Sequence, residues 1–309
     1  MAYYRSYKQL TSYQRRKHGM RGAKPSNRRP KRRYSRKRRS RPRMSKRSIL
    51  DMTSRKKRDT MAYYSNSTAG SQSGGSTYTQ SPAIITGGQT VPAAFLWCAT
   101  YRDNTFNTGG ATGGVDDQAT RTAQNCYMRG LKENIEIQVA DNVPWQWRRI
   151  CFTAKGLGAV LQTTTGFAIG IEASTGFQRV LNQLSPAVTR TALETLLFKG
   201  ALGQDWLDPM TAPTDNSRLT IKYDKTITIA SGNEGGAIRK YNRWHGMNKT
   251  LVYNDDEAGG DEQTTYLSTV GKAGMGDYYV LDYFKARIGS TTSNQLSFAP
   301  NATLYWHEK

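Results

Sequence analysis

Nine basic side chains fall within twelve residues: Arg28, Arg29, Lys31, Arg32, Arg33, Arg36, Lys37, Arg38 and Arg39. This is chemistry for phosphate, because a planar guanidinium forks two oxygens and can also stack on a base. Tyr3, Tyr4, Tyr7, Tyr13 and Tyr34 are interleaved and offer bases a sequence-tolerant stacking surface. Binding of this kind releases counterions, so it weakens steeply with salt and reads little base sequence. A second constellation, Pro144-Trp145-Gln146-Trp147-Arg148-Arg149, sets two indoles beside two guanidiniums, and Arg239-Lys240-Tyr241-Asn242-Arg243-Trp244 repeats the theme. Trp145, Trp147, Arg148 and Arg149 have two readings: ordered contact with a nucleotide, or core and subunit anchors whose arginines pair with acids.

Catalytic patterns are missing. Gly271-Lys272 lacks the first glycine of a phosphate-cradling loop, since Tyr266 stands in its place. There is no His-x-x-x-His and no Gly-x-Ser-x-Gly. His245 beside Trp244 reads as an interface or loop histidine rather than a base. Asp255, Asp256, Glu257, Asp261 and Glu262 do not match the spacing of a calcium loop and read as a solvated turn. Cys98, Cys126 and Cys151 are odd in number and widely separated, so they read as small core residues of a reducing compartment. No metal, no cofactor and no enzymatic activity are expected.

The charge is strongly polarised along the chain. Residues 1–60 hold 24 Lys and Arg against Asp51 and Asp59, which equals the whole formal net charge of +22; residues 61–309 balance. Such a like-charge block cannot offset the entropy of ordering, and Pro25, Pro30 and Pro42 interrupt any helix, so a disordered arm is expected over 1–60. Its removal is expected to abolish DNA uptake and leave the rest folded. Arg15-Arg16-Lys17, Lys31-Arg32-Arg33 and Arg55-Lys56-Lys57-Arg58 also fit nuclear import signals, with nuclear import receptors as the implied partner. The arm has no apolar face for a membrane surface and the chain no apolar run of spanning length.

Beyond the arm, the Ser, Thr, Gly and Asn content of 61–89 reads as a linker, and residues 90–309 as one domain. Leu131, Ile135, Ile137 and Val139 share one parity while Lys132, Asn134, Glu136 and Gln138 share the other, the mark of a half-buried strand. Further strands are expected at 94–102, 148–154, 167–172, 218–229, 238–244, 250–253, 278–288 and 302–307. One helix is expected after Ser185-Pro186, with Leu193, Leu196 and Leu197 at helical spacing and Gly200 as its stop. Eight or nine strands with long loops suit an all-β, eight-stranded jelly-roll sandwich.

Several segments together resemble one family. The arginine-rich arm, Arg55-Lys56-Lys57-Arg58-Asp59, Tyr127-Met128-Arg129-Gly130-Leu131, Pro144 through Phe152 and the closing Trp306-His307-Glu308 look like the coat proteins of genomoviruses, relatives of the geminiviruses. The resemblance implies a jelly-roll subunit, self-assembly into a small icosahedral T=1 shell, single or twinned, and an arm turned inward onto a circular single-stranded DNA genome. It also implies residence in the virion and the host nucleus. Geminivirus coat proteins often carry a Cys/His cluster, which this chain lacks. A shell of ~60 copies at +22 each would bring about 1,320 positive charges to its genome. The alternative is a cellular ribosomal or chromatin-type nucleic-acid-binding protein with a basic extension.

Overall fold

The computed structural model describes residues 44–71, 74–161, 167–184, 187–232 and 234–309. The chain divides into two units, Met1–Ser48 and Ile49–Lys309. In chain order the elements are α1 (Lys46–Thr53), β1 (Arg55–Met61), β2 (Tyr63–Ser65), β3 (Ala83–Thr86), β4 (Ala93–Cys98), β5 (Asn125–Val139), β6 (Trp145–Ala154) and α2 (Leu157–Leu161). There follow β7 (Ile171–Ala173), β8 (Gly176–Leu181), α3 (Ala187–Leu197), β9 (Thr220–Ile229), β10 (Ala237–Val252), β11 (Asp256–Ala258), β12 (Asp261–Gln263), β13 (Asp277–Ala286) and β14 (Gln295–Glu308).

Eight of these strands pair as nested antiparallel hairpins: β3 with β14, β4 with β13, β5 with β10 and β6 with β9. Two further pairings, β14 with β5 and β13 with β6, join the hairpins into sheets ordered β3-β14-β5-β10 and β4-β13-β6-β9. A long hairpin rolled in this way is the jelly roll. The expected fold class is therefore what the chain adopts. β1 extends the first sheet by pairing with Ala302–Glu308 along the edge of β14 that β3 covers lower down. Pro300 falls in the gap between them, where a residue without an N–H costs least.

Alternation decides which face of each strand is buried. In β5, Leu131, Ile135, Ile137 and Val139 point between the sheets while Lys132, Asn134 and Gln138 face outward. β13 and β6 are buried on both faces, because a second apolar layer covers the outer side of their sheet. In that layer Leu193 and Leu197 of α3, Phe198, Trp206 and Met210 pack on Ile150, Phe152, Leu281 and Tyr283. Each large side chain so buried contributes roughly 1.5–3 kcal/mol. The three cysteines are buried and unbridged, and burial pushes the Cys151 thiol up to about 12, so they are packing residues.

Several expected boundaries differ from the observed ones. Residues 55–60 are not arm but sheet: Lys57 is buried and reaches Glu308 at 3.1 Å, and Asp59 meets buried Arg102 at 3.0 Å. Residues 61–89 are not a free linker, since Ser65, Asn66 and Ser67 are buried and Asn66 donates to Asn182 Oδ1 at 2.9 Å. Three helices, not one, occur among the described residues, and the expected cap at Ser185 and Pro186 lies outside them. Residues 167–172 contribute only the start of β7, while 238–244 and 250–252 belong to one bulged strand, β10, and Tyr253 bridges Ser268 beyond its end. The acidic segment forms the β11–β12 hairpin. No described helix is long and apolar enough to cross a membrane.

Candidate nucleic-acid interface

Arg28, Arg29, Lys31, Arg32, Arg33, Arg36, Lys37, Arg38 and Arg39, with Arg15, Arg16 and Lys17, lie outside the described residues. Of the remaining import cluster, Arg55, Lys56 and Arg58 are exposed on β1 while Lys57 is inside. A fully accessible four-residue basic signal is therefore not what the strand presents.

Both tryptophans and both arginines of the Trp-Gln-Trp-Arg-Arg segment are withdrawn from nucleotide contact in the folded body, because β6 turns every one of its side chains but Gln146 into two interior layers. Trp145, Trp147 and Arg149 point between the sheets, and Trp147 and Arg149 are each only 1–2 % exposed. Trp147 stacks on Phe284 at 6.0 Å and donates its indole N–H to Asp282 at 2.8 Å. Arg148 faces the outer layer, where it forks Asp224 at 2.9 and 2.6 Å and donates to the carbonyls of Pro209 and Ala212. Neither indole has a free face and neither guanidinium is spare, so the anchoring reading holds.

Arg149 belongs to a buried cluster that strand periodicity alone did not reveal. It forks Asp282 at 2.7 and 2.9 Å and donates to Glu133 of the facing sheet. Arg179 of β8 meets the same two acids at 3.1 and 3.3 Å and lies over the Trp97 ring. Two cations and two anions thus cancel where water is excluded. Arg149 and Arg179 hold the Asp282 carboxyl below its ordinary range against the opposing effect of burial. Glu133 carries the inward parity of β5, which is the one signal in the sequence that could have exposed the cluster.

His245 borders it, with Nε2 3.7 Å from Glu133 and lacking any hydrogen bond. Burial keeps the imidazole neutral and lowers its pKa to about 4. The unfolded chain therefore takes up a proton between pH 6.5 and 4 that the folded one refuses, and stability falls by roughly 3 kcal/mol as pH drops through that window. Asp277, buried and raised to about 6, acts oppositely, since the folded state gains its proton first and is favoured as pH falls from 6 toward 3.8. The two oppose each other in the parent protein. His245→Gln removes one arm of the balance, so urea unfolding at pH 6.5 and 4.5 should show the variant gaining stability on acidification relative to the parent.

What stays accessible is the outer face of the β3-β14-β5-β10 sheet. Register sets Thr303, Lys132 and Trp244 in one row across β14, β5 and β10, then Asn301, Asn134 and Asn242, then Ala299, Glu136 and Lys240. A cavity of about 270 Å³ opens over the asparagine row. Trp244 is 56 % exposed, whereas the other five tryptophans are at most 6 % exposed. Its indole leans on Tyr305, ring centres 5.7 Å apart, and covers Gly130, where a Cβ would come within 2.7 Å of the ring. Lys56, Arg58 and Arg129 flank this end of the sheet around Tyr127 and His307. The second sequence constellation is thus the exposed one.

No protein-family model matches the chain, and no curated protein matches it. Among solved structures, the chain was compared with an unassembled pentamer of the VP1 protein of Washington University polyomavirus. The identity is 9 %, with 84 % of this chain and 94 % of that chain covered and a TM-score of 0.10. Superposition that poor carries no argument, and the fold assignment rests on strand pairing.

The acidic hairpin offers little chemistry. Asp255 is buried against Arg121, and Asp256, Glu257, Asp261 and Glu262 face solvent. No three His, Cys, Asp or Glu side chains come together as a metal site among the described residues.

Proposed function

We propose that this chain is a structural coat protein that assembles into a small icosahedral shell and packages circular single-stranded DNA, in the manner its resemblance to genomovirus coat proteins implies. The observation that carries the reading is polarity. Ending the arm where β1 begins leaves 20 basic residues against Asp51 in residues 1–54, while residues 55–309 hold 25 basic and 22 acidic side chains in a jelly roll. A polycation neutralises phosphate without reading sequence, and a near-neutral sandwich buries area against its copies. The protein has no catalytic role in this scheme. Host import receptors would engage the basic clusters of the arm, and the virion and host nucleus are its locations.

Size exclusion and negative-stain microscopy of purified protein, with and without circular single-stranded DNA, test the reading. Closed megadalton particles are expected, with DNA uptake that falls steeply with salt. Replacing Arg28 to Arg39 by neutral residues should flatten that salt dependence. Small soluble species under every ionic condition, with or without DNA, would refute a coat, and a DNA-binding monomer would point to the cellular module instead.

A further inference from the structure

We infer that the outer face of the β3-β14-β5-β10 sheet is an ordered platform for single-stranded DNA, on which a base stacks against Trp244 and its neighbour lies over the amide row of Asn301, Asn134 and Asn242. The inference rests on the coat reading and extends it from the arm to a defined surface of the body.

Four properties converge. Trp244 exposes a large π-face that nothing in the body covers, and an exposed indole on a rigid strand is a stacking surface for any base. Gly130 and Tyr305 fix the ring from below and beside, so little side-chain entropy is lost when a base lands. The three asparagine amides make no hydrogen bond within the described protein and stand in one register row, each offering a donor pair and an acceptor toward a base edge. Lys132 in the Trp244 row, with Lys56, Arg58 and Arg129 beyond it, supplies cations that have no ion-pair partner among the described residues. The face's acids are Glu136, held by Lys240 at 3.3 Å, and Asp51, beside His307 at the sheet edge.

Successive outward rows lie about 7 Å apart along a strand, a step that one nucleotide of an extended chain can span. Cations in excess of the face's two acids, next to an exposed aromatic ring and free amides, favour a polyanion with π-faces over a second protein copy. Recognition of this sort is tolerant of base identity, as a genome-length ligand requires.

The test uses the full chain and an oligothymidylate of about 15 nucleotides at about 0.5 M salt, where counterion release suppresses contributions from the arm. Trp244 is the accessible fluorophore, so binding should quench emission and protect it from iodide. Trp244→Ala should weaken binding on the order of tenfold or more while leaving the slope of log affinity against log salt unchanged. Trp244→Phe, which keeps a ring, should recover most of the affinity. Thermal unfolding of both variants should stay near the parent, because an exposed side chain has been changed.

If the parent takes up DNA without quenching of its emission and Trp244→Ala binds equally well, the platform is wrong and the coat reading stands. If the parent binds no single strand at any salt, both fall. If Trp244→Ala prevents particles from forming without DNA, Trp244 is a contact between copies and the platform is overturned.

Discussion

Removing residues 1–43 is expected to give a folded body that loses the steeply salt-dependent part of DNA uptake and keeps only the weaker, salt-tolerant binding of its sheet face, whereas removing residues 1–60 is expected to cripple the fold. The first cut takes away 18 basic side chains and ends before α1. The second deletes β1, and with it the seven-residue pairing that runs from Arg55 opposite Glu308 to Met61 opposite Ala302. Glu308 would lose Lys57 and keep its bonds from Thr122, Trp306 and the Cys126 thiol. Arg102, stacked between Phe177 and Trp306, would lose Asp59. Leaving one half of a buried ion pair costs about 3–5 kcal/mol, a large part of the 5–15 kcal/mol that holds a domain together. Circular dichroism melts should show the shorter truncation within a few degrees of the parent. The longer one should melt at least ~10 °C lower or fail to fold. Equal melting of the two would mean that β1 is dispensable and that the arm extends to residue 60 after all.

The misplaced boundary shows what local pattern can and cannot carry. Arg55 to Arg58 looks like the end of a basic tail because its strand identity comes from β14, near the other end of the chain, and from Glu308, which gives Lys57 a reason to be inside. The Ser- and Asn-rich stretch after it reads as linker for a similar reason. Its polar groups are satisfied inside the protein, with Ser67 donating to the carbonyl of Ile84 at 2.8 Å and Asn66 to Asn182. Composition does not distinguish a solvated serine from a buried one with a partner.

Where one face of a strand is wet, reading is easier. β5 was legible from its alternation, and α3 from its leucine spacing. The jelly-roll class followed from the number and spacing of strands, though their nesting became visible only with the register. The two aromatic-basic segments looked alike in sequence and separated in space because β6 is central and covered on both sides, while β10 is an edge strand with one face open. Nothing within either hexapeptide encodes that difference. It depends on the neighbours each strand finds, as do the exposure of Trp244 and the burial of Trp147.

The buried tetrad should respond to mutation in a way that no collection of surface ion pairs would. Arg149→Met leaves Asp282 and Glu133 sharing Arg179 alone, and Asp282→Leu leaves Arg149 and Arg179 sharing Glu133. Each single change strands a net charge where exposure is 2 % or less, so each should cost about 3–5 kcal/mol. The double change removes one cation and one anion together and leaves the neutral pair of Glu133 and Arg179. It should therefore cost less than the sum of the singles, by at least ~2 kcal/mol, even though Trp147 loses the acceptor for its indole N–H. Chemical unfolding of the four proteins at neutral pH closes the cycle, and additive losses would show that the four groups do not act as a unit. The coupling bears on the proposed shell as well as the subunit. Glu133 lies on one sheet and Arg149 and Asp282 on the other, so the tetrad ties the two sheets at a set register. An apolar contact could slide by one pair of residues at modest cost; a charge displaced from its partners in the dry interior could not. The proposed shell of ~60 copies would tolerate little variation in subunit shape, and this cluster would give the sandwich a single alignment to repeat.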